Sequence, residues 1–361
     1  MSDAARQIAE SDLRSILEQT EALWQNVRGE RIFFTGATGF FGAWLLESFS
    51  YINRQLGLGA QAVALSRRPE VFHARMPHLL ADESITLHAG DVRDFSAPEG
   101  TFRYVVHAAT EASARQLAEA PAEMLTTILD GTRRTLDTAV AAKAERLLLT
   151  SSGAVYGKQP SEIVRLPETY PGAPDCTEVG SIYGEGKRAS ELLCALYAKQ
   201  YGIACSIARC WAFCGPHLSL DTHFAIGNFI RDIMQGGPVR IGGDGTPTRS
   251  YLYAGDLAVW LWTLLFRGSS LTAYNVGSAN SLSIRELAEA VRDALNPSVR
   301  IEIAKEPNPG APISRYVPDV TKVGEDLGLH ETVSLRDTIL RTAAWYGWTG
   351  SETAEGNPRV R

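Results

Sequence analysis

Tyr183 and Lys187 stand four residues apart in Tyr183-Gly184-Glu185-Gly186-Lys187, at the head of a helical stretch that reaches Tyr201. Positions i and i+4 share one face of a helix, so the two side chains point the same way. A phenol, with a pKa of about 10, is a poor base at neutral pH. A neighbouring ammonium favours the phenolate, which then exchanges a proton with a hydroxyl or a carbonyl. That proton transfer is the partner of a hydride transfer to nicotinamide. Upstream, Thr150-Ser151-Ser152-Gly153-Ala154-Val155-Tyr156-Gly157 offers a hydroxyl at the end of an apolar run. Ser152 is placed to hydrogen-bond and polarise the reacting oxygen, while Ser151 satisfies local backbone. The expected catalytic set is Ser152, Tyr183 and Lys187.

A second group of residues suits a dinucleotide. Thr35-Gly36-Ala37-Thr38-Gly39-Phe40-Phe41-Gly42 spaces three glycines at intervals of three, between an apolar run and the apolar stretch Ala43-Trp44-Leu45-Leu46. One glycine serves a sharp turn, one a close approach to pyrophosphate and one the packing of helix on strand, with the phosphates at the helix N-terminus. Gly36, Thr38, Gly39, Phe40, Phe41 and Gly42 are therefore expected at the cofactor. The second run ends in Ser66-Arg67-Arg68, where an NAD-specific site usually offers a carboxylate to the ribose. A guanidinium at that place holds a 2′-phosphate, so the expectation leans to NADP over NAD, with Ser66 and Arg67 as contacts. Asp91 and Val92 follow the third run, and Ala108, Ala109 and Thr110 follow the fourth, at the strand ends where an open sheet binds its ligand. Tyr183 and Lys187 complete the cofactor set, and Thr110 and Ser152 also face the substrate.

These groups need a scaffold that brings them to one rim. Short β-rich runs (Arg31–Thr35, Gln61–Leu65, Ile85–His88, Arg103–His107, Arg146–Ser151 and Ile203–Arg209) alternate with helical stretches such as Ala43–Asn53 and Ala122–Ala142. This alternation predicts a parallel, doubly wound α/β sheet. Strands covered on both faces read as nearly continuous apolar runs, as Tyr104-Val105-Val106 and Leu147-Leu148-Leu149 do. Residues 4–28 carry helical spacing and form an expected N-terminal helix. After Arg209 the rhythm breaks into Gly- and Pro-rich pieces, which predicts a second, smaller substrate lobe; Thr349 to Arg361 is expected to fray. The expected division is 1–30 as a helical extension, 31–215 as the dinucleotide domain, and 216–361 mainly as the lobe, partly interleaved with that domain.

Composition bounds the partners. The chain has 361 residues with 35 basic and 41 acidic side chains, a formal charge of −6, and no basic cluster, which argues against nucleic acid. The most apolar stretch, Ala258 to Phe266 with Thr263 within it, is well short of the ~20 residues of a membrane span. The first thirty residues are polar and charged, so the expected location is the cytoplasm. Cys176, Cys194, Cys205, Cys210 and Cys214 show no C-x-x-C pair and no interleaved histidines, so they are expected to be reduced thiols and no metal site is expected.

Together the Gly36/Gly39/Gly42 turn, Asp91, His107-Ala108-Ala109, Ser151-Ser152 before Val155-Tyr156-Gly157, and Tyr183-x-x-x-Lys187 resemble the extended short-chain dehydrogenase/reductase superfamily. Within it they resemble the nucleotide-sugar epimerase/dehydratase family. The match runs on through Arg209 to Gly215-Pro216, Arg249-Ser250-Tyr251-Leu252-Tyr253, Tyr274-Asn275-Val276-Gly277 and Tyr316-Val317-Pro318-Asp319, over roughly residues 31 to 346. The resemblance implies a Rossmann doubly wound parallel sheet with a smaller C-terminal substrate-binding lobe, and a nucleotide diphosphate sugar whose reactive hydroxyl faces Tyr183. It also implies that Arg249 binds the diphosphate, and that two long helices per subunit, supplied by Ala122–Ala142 and Ser181–Tyr201, form a homodimer.

Departures from the family pattern bear on the reaction. Sugar 4,6-dehydratases carry an Asp-Glu pair after the active-site hydroxyl residue; here Gly153 and Ala154 stand there, and neither moves a proton. The same loss weakens a decarboxylase reading. The family's Asn before Gly-Pro is missing from Cys210-Trp211-Ala212-Phe213-Cys214, and Ile128 replaces a usual Asn ahead of Gly131-Thr132. The expectation is oxidation or reduction at carbon 4 of a nucleotide-activated sugar, by an epimerase or a 4-ketoreductase. The alternatives are a nucleotide-sugar dehydratase or decarboxylase, a reductase of a non-sugar ketone or alcohol, and a cofactor-binding regulator without catalysis.

Overall fold

A computed structural model describes residues 6–109, 114–221 and 224–350. The chain opens with helix α1 (Glu10–Thr20) and a 3-10 helix over Glu21–Val27, so the expected single N-terminal helix is divided in two. Strand β1 (Arg31–Thr35) then leads into α2 (Phe40–Leu56), β2 (Gln61–Ser66), α3 (Pro69–Arg75), α4 (Pro77–Leu80), β3 (Ile85–Ala89) and β4 (Tyr104–His107). Helices α5 (Ala114–Glu119) and α6 (Pro121–Ala141), strand β5 (Arg146–Ser152), helix α7 (Ile182–Tyr201) and strand β6 (Ala204–Cys210) follow.

After β6 come β7 (Phe213–Cys214), α8 (Ala225–Met234), β8 (Val239–Ile241), β9 (Thr248–Ser250) and β10 (Leu252–Tyr253). Helix α9 (Ala254–Arg267) and strand β11 (Ala273–Val276) return to the main body. Strand β12 (Ser281–Ser283), α10 (Ile284–Leu295), β13 (Ile301–Ile303), β14 (Arg315–Tyr316), α11 (Thr321–Leu327) and α12 (Leu335–Trp345) close the chain.

Seven strands form one sheet in the order β11-β6-β5-β4-β1-β2-β3. Every pairing in it is parallel. The order reverses at β1, between β4 and β2, which makes a crevice at the C-terminal ends of those strands. Alternate side chains of β1 serve opposite faces. Ile32 and Phe34 join a core built with α2, α9 and the N-terminal segment, while Phe33 joins one built with α6 and α7.

The N-terminal segment is part of the first core. The Trp24 ring lies 4.8 Å from that of Trp262 and 5.2 Å from that of Phe266. Buried Asp12 accepts a hydrogen bond from the Tyr253 hydroxyl at 2.7 Å and pairs with Arg341. In the lobe, β9 lies between β12 and β14, and the Leu166–Pro318 bridge ties the segment after β14 to the loop beyond β5. No helix among the described residues is long and apolar enough to cross a membrane. Residues 351–361 of the expected frayed end lie outside the described residues.

Candidate functional site

The turn from β1 into α2 is a cradle that side chains would fill. Gly36 has φ +74°, and a Cβ on it would come within 2.3 Å of the Ala108 carbonyl carbon. A Cβ on Gly42 would lie 2.4 Å from Ala37 backbone. Gly39 is the N-cap of α2, and no side chain caps this helix end. The first N–H groups of α2, on Phe40, Phe41 and Gly42, together with the positive end of the helix dipole, form an anion site. These close approaches fit a dinucleotide pyrophosphate. The Phe41 ring meets Phe213 edge-on at 5.2 Å, and Phe40 lies beside it.

Beyond β2, Thr38, Ser66, Arg67, Arg68 and Arg75 line a cleft. The Ser66 hydroxyl is buried and accepts from the Arg68 N–H at 3.2 Å, so it shapes the turn that presents the arginines. Asp91 accepts from Arg93 Nε at 2.8 Å and Nη2 at 3.0 Å, and this pairing holds its carboxyl below the usual range. Val92 is buried against Gly131, and the Ala108 N–H donates to the Thr35 carbonyl. Ala109 follows at the same strand end. Thr110 lies outside the described residues.

Ser152 ends β5 and caps the following 3-10 turn, its Oγ accepting from the Ala154 N–H at 3.1 Å. Helix α7 brings Tyr183 and Lys187 to the same rim. Lys187 Nζ is buried, donates to the Thr150 carbonyl at 2.8 Å and lies 6.0 Å from the centre of the Tyr183 ring. Burial lowers Lys187 to about 8 and raises Tyr183 to about 12, with hydrogen bonding to Ser152 opposing the rise. In the protein alone desolvation outweighs the hydrogen bonding to Ser152 at the Tyr183 phenol.

Three further residues have settled structural partners. Ser151 donates to Glu191 at 2.6 Å rather than to local backbone, and Arg209 holds the same carboxylate through two nitrogens, at 3.0 and 2.7 Å. His107 is buried among the hydroxyls of Thr35 at 2.7 Å, Thr132 at 3.1 Å and Thr135 at 3.2 Å. Burial, with the Lys187 charge adding to it, holds this imidazole down to about 3, so it is neutral. Ile128, in place of a polar residue, packs on α7, where Gly186 leaves room for it.

Arg249 is half-buried and donates to the Thr248 and Ser314 carbonyls at 2.9 and 3.2 Å. It pairs in register with Tyr316 across β9 and β14. Tyr316 and Trp211 are site residues to which their sequence motifs assigned no role. Their ring centres lie 4.4 Å apart with the planes tilted by 43°, and together they wall position 153: Trp211 ring atoms and the Tyr316 hydroxyl lie 2.8 Å from where a Cβ would sit. Asn275 fixes this wall, its Oδ1 accepting from the Tyr156 hydroxyl at 2.9 Å and the Trp211 indole at 3.1 Å. The signal in the sequence was their place in motifs, Tyr316 before Val317-Pro318-Asp319 and Asn275 after Tyr274.

Comparison with known proteins gives a consistent picture. Residues 32–277 match the model of the NAD dependent epimerase/dehydratase family. UDP-glucuronic acid decarboxylase 6 of Arabidopsis thaliana is 34% identical over 315 residues, covering 86% of each chain. A dTDP-glucose 4,6-dehydratase from Streptomyces venezuelae, solved with NAD bound, superposes with a TM-score of 0.70 at 28% identity over 88% of this chain and 96% of its own. The UDP-glucose 4-epimerase of Thermotoga maritima, solved with UDP-glucose, shares the fold, with a TM-score of 0.72 at 21% identity over 88% of this chain and 98% of its own.

Proposed function

Because the chain belongs to the NAD dependent epimerase/dehydratase family, we propose that its reaction opens with oxidation at carbon 4 of a nucleotide diphosphate sugar. The observation that carries this reading is the meeting of Ser152, Tyr183 and Lys187 on one rim, beside the glycine cradle of α2. A bound nicotinamide dinucleotide would accept and return the hydride. The protein's own residues handle the rest. Ser152 orients the sugar hydroxyl and Tyr183 takes its proton. Lys187, steadied by the Thr150 carbonyl, keeps a positive charge near the oxygen that becomes anionic. Arg249, on the lobe side, holds the diphosphate as a fixed fork of donors.

Gly153 and Ala154 bear on the fate of the ketone. Eliminating water across carbons 5 and 6 needs a base and an acid beside the sugar, and Trp211 and Tyr316 fill the volume a side chain at 153 would take. Loss of carbon dioxide asks for less. A carboxylate on carbon 5 is β to the 4-ketone, which serves as the electron sink, and only a proton must return to carbon 5. The departure therefore weighs less against a decarboxylase than against a dehydratase. Similarity to the Arabidopsis decarboxylase supports decarboxylation at least as well as epimerisation or 4-keto reduction.

For the cofactor we favour NADP over NAD, on the three arginines that line the cleft beyond Ser66. We assign the molecule to homodimers formed through α6 and α7, and to the cytoplasm, where its free cysteines would stay reduced. The deciding experiment incubates purified protein with UDP-glucuronic acid, UDP-glucose, UDP-N-acetylglucosamine and dTDP-glucose, each with NAD, NADP or NADPH, and tracks products by mass and NMR. A UDP-pentose marks decarboxylation, an epimer of unchanged mass marks epimerisation, and loss of water marks dehydration. No change in any sugar overturns the reading.

A further inference from the structure

Lys187 and Glu191 stand one helical turn apart on α7 and meet two neighbouring residues of β5. Lys187 Nζ donates to the Thr150 carbonyl at 2.8 Å, and Glu191 Oε1 accepts from the Ser151 hydroxyl at 2.6 Å. Positions i and i+4 share a helix face, so the ammonium and the carboxylate lie over the same stretch of strand. A third charge comes from β6. Arg209 pairs in register with Ser151, and its guanidinium holds Glu191 through Nε at 3.0 Å and Nη2 at 2.7 Å. It also lies over the Tyr156 ring at 4.7 Å, a second hold on its position. The carboxylate is 13% exposed and the guanidinium 17%, so salt and water screen these charges little.

Counting charges gives Glu191 a task. The other titratable groups facing Lys187 are Tyr183 and Cys194 on α7, His107 on β4 and Cys210 on β6. His107 is neutral, and burial holds the Tyr183 phenol and both thiols protonated. Among the described residues facing Lys187, Glu191 is therefore the one anion. Burial opposes the ammonium and draws Lys187 down to about 8. A carboxylate one turn away resists that fall, and a guanidinium left without its carboxylate would deepen it.

We propose that Glu191 is a positioning residue: as counter-ion to Lys187 it keeps the buried ammonium charged against the Thr150 carbonyl, while Arg209 sets how much of the carboxylate's charge reaches it. This rests on the reading of Lys187 as the positive charge beside the oxygen that becomes anionic. Ser151 contributes place and no charge, fixing the carboxylate on the strand. The two contacts, Lys187 on Thr150 and Glu191 on Ser151, also hold the helix that carries Tyr183 in register with the strand that carries Ser152.

Two substitutions that change the local charge in opposite directions test it. In holoenzyme whose lysines carry 13C at Cε, Lys187→Met identifies the Lys187 line, and NMR follows its titration. Glu191→Gln keeps the size of the side chain and lowers the Lys187 midpoint by about one unit, because Arg209 is left without its counter-charge. Arg209→Gln raises it by about one unit, because the carboxylate then acts undivided. Ser151→Ala, which removes a hydrogen bond and no charge, moves it by less than about a third of that. With the sugar that wild type converts, the alkaline limb of the pH–rate profile follows the midpoint in each variant, and KM stays within about twofold. Lost packing alone would move both charge variants the same way, so midpoints that shift together, or stay put, overturn the proposal. Where Glu191→Gln does not fold, the double variant Glu191→Gln, Arg209→Gln is read against Arg209→Gln: the midpoint falls by about one unit, and no fall overturns the proposal. A wild type that converts none of the sugars overturns the carbon-4 reading alone, since the lysine titration needs no substrate and still decides whether Glu191 acts on Lys187.

Discussion

Burial and hydrogen bonding pull in opposite directions on the side chains that would react. Tyr183 is pushed up to about 12 by desolvation and drawn back by Ser152, while Lys187 is drawn down to about 8. A phenol in that state acts only when positive charge and a hydroxyl donor are brought to its oxygen, so its contribution is specific to the reacting complex. Tyr183→Phe is accordingly expected to reduce turnover by about 10²–10⁴-fold, the usual worth of a positioned acid or base. Dinucleotide affinity, measured by calorimetry, should change little, because the phosphates are assigned to the cradle of α2 and not to the phenol. Activity close to wild type would remove Tyr183 from the mechanism. At the other end of the cofactor site, Arg67→Ala should weaken NADP by roughly tenfold or more, as expected for a charge-assisted bond to phosphate, and leave NAD nearly unaffected. Equal loss for both dinucleotides would take away the ground for a 2′-phosphate contact.

The elements that position these residues were largely legible in the sequence. Six strands of the sheet fall within one residue of the expected runs at each end, because parallel strands buried on both faces write themselves as apolar runs. The seventh, β11, was hidden. Its Tyr274-Asn275-Val276 is short, comes after a break in the rhythm and becomes a strand by pairing with β6. The division of the N-terminal helix at Glu21 was equally hidden, since helical spacing does not separate α from 3-10 turns. His107 shows how the elements are bolted together: from β4 it reaches Thr35 of β1 and Thr132 and Thr135 of α6. Its imidazole takes a proton near 6.5 in the unfolded chain and only near about 3 in the fold. Between those values the unfolded state binds more protons, so this residue makes stability fall as pH drops, by about 1.4 kcal/mol per unit. Urea midpoints measured from pH 7 to pH 4 should therefore decline more steeply for wild type than for His107→Asn. Parallel slopes would show that His107 is not buried in its neutral form.

At the scale of the whole molecule, the site is made where distant segments converge, and this is what a linear reading misses. Trp211 after β6, Asn275 on β11 and Tyr316 on β14 form one wall, yet nothing in their local spacing announces that they meet. The outer side of the sheet poses the complementary question of what covers α7. Tyr183 and Lys187 face inward, and Leu192, nine residues beyond Tyr183 and thus two and a half turns on, lies on the opposite side. Leu192 is 71% exposed, and Leu196, one turn later, is 51% exposed. Helix α6 packs alongside, with Asp137 accepting from the Tyr197 hydroxyl at 2.5 Å and Thr132 meeting Ser190 at 2.8 Å, so the two helices present one surface. A homodimer about a two-fold axis would bury each leucine twice. At roughly 1 kcal/mol apiece, allowing for area already covered, four leucines stabilise the pair by about 4 kcal/mol, or ~10³-fold in dissociation constant. The double variant Leu192→Glu, Leu196→Glu should then sediment as a folded monomer at micromolar concentrations where wild type sediments as a dimer. Wild type that runs as a monomer, or a double variant that still pairs as tightly, would show that this face is not the interface, and that the helix carrying the base is braced from within the subunit alone.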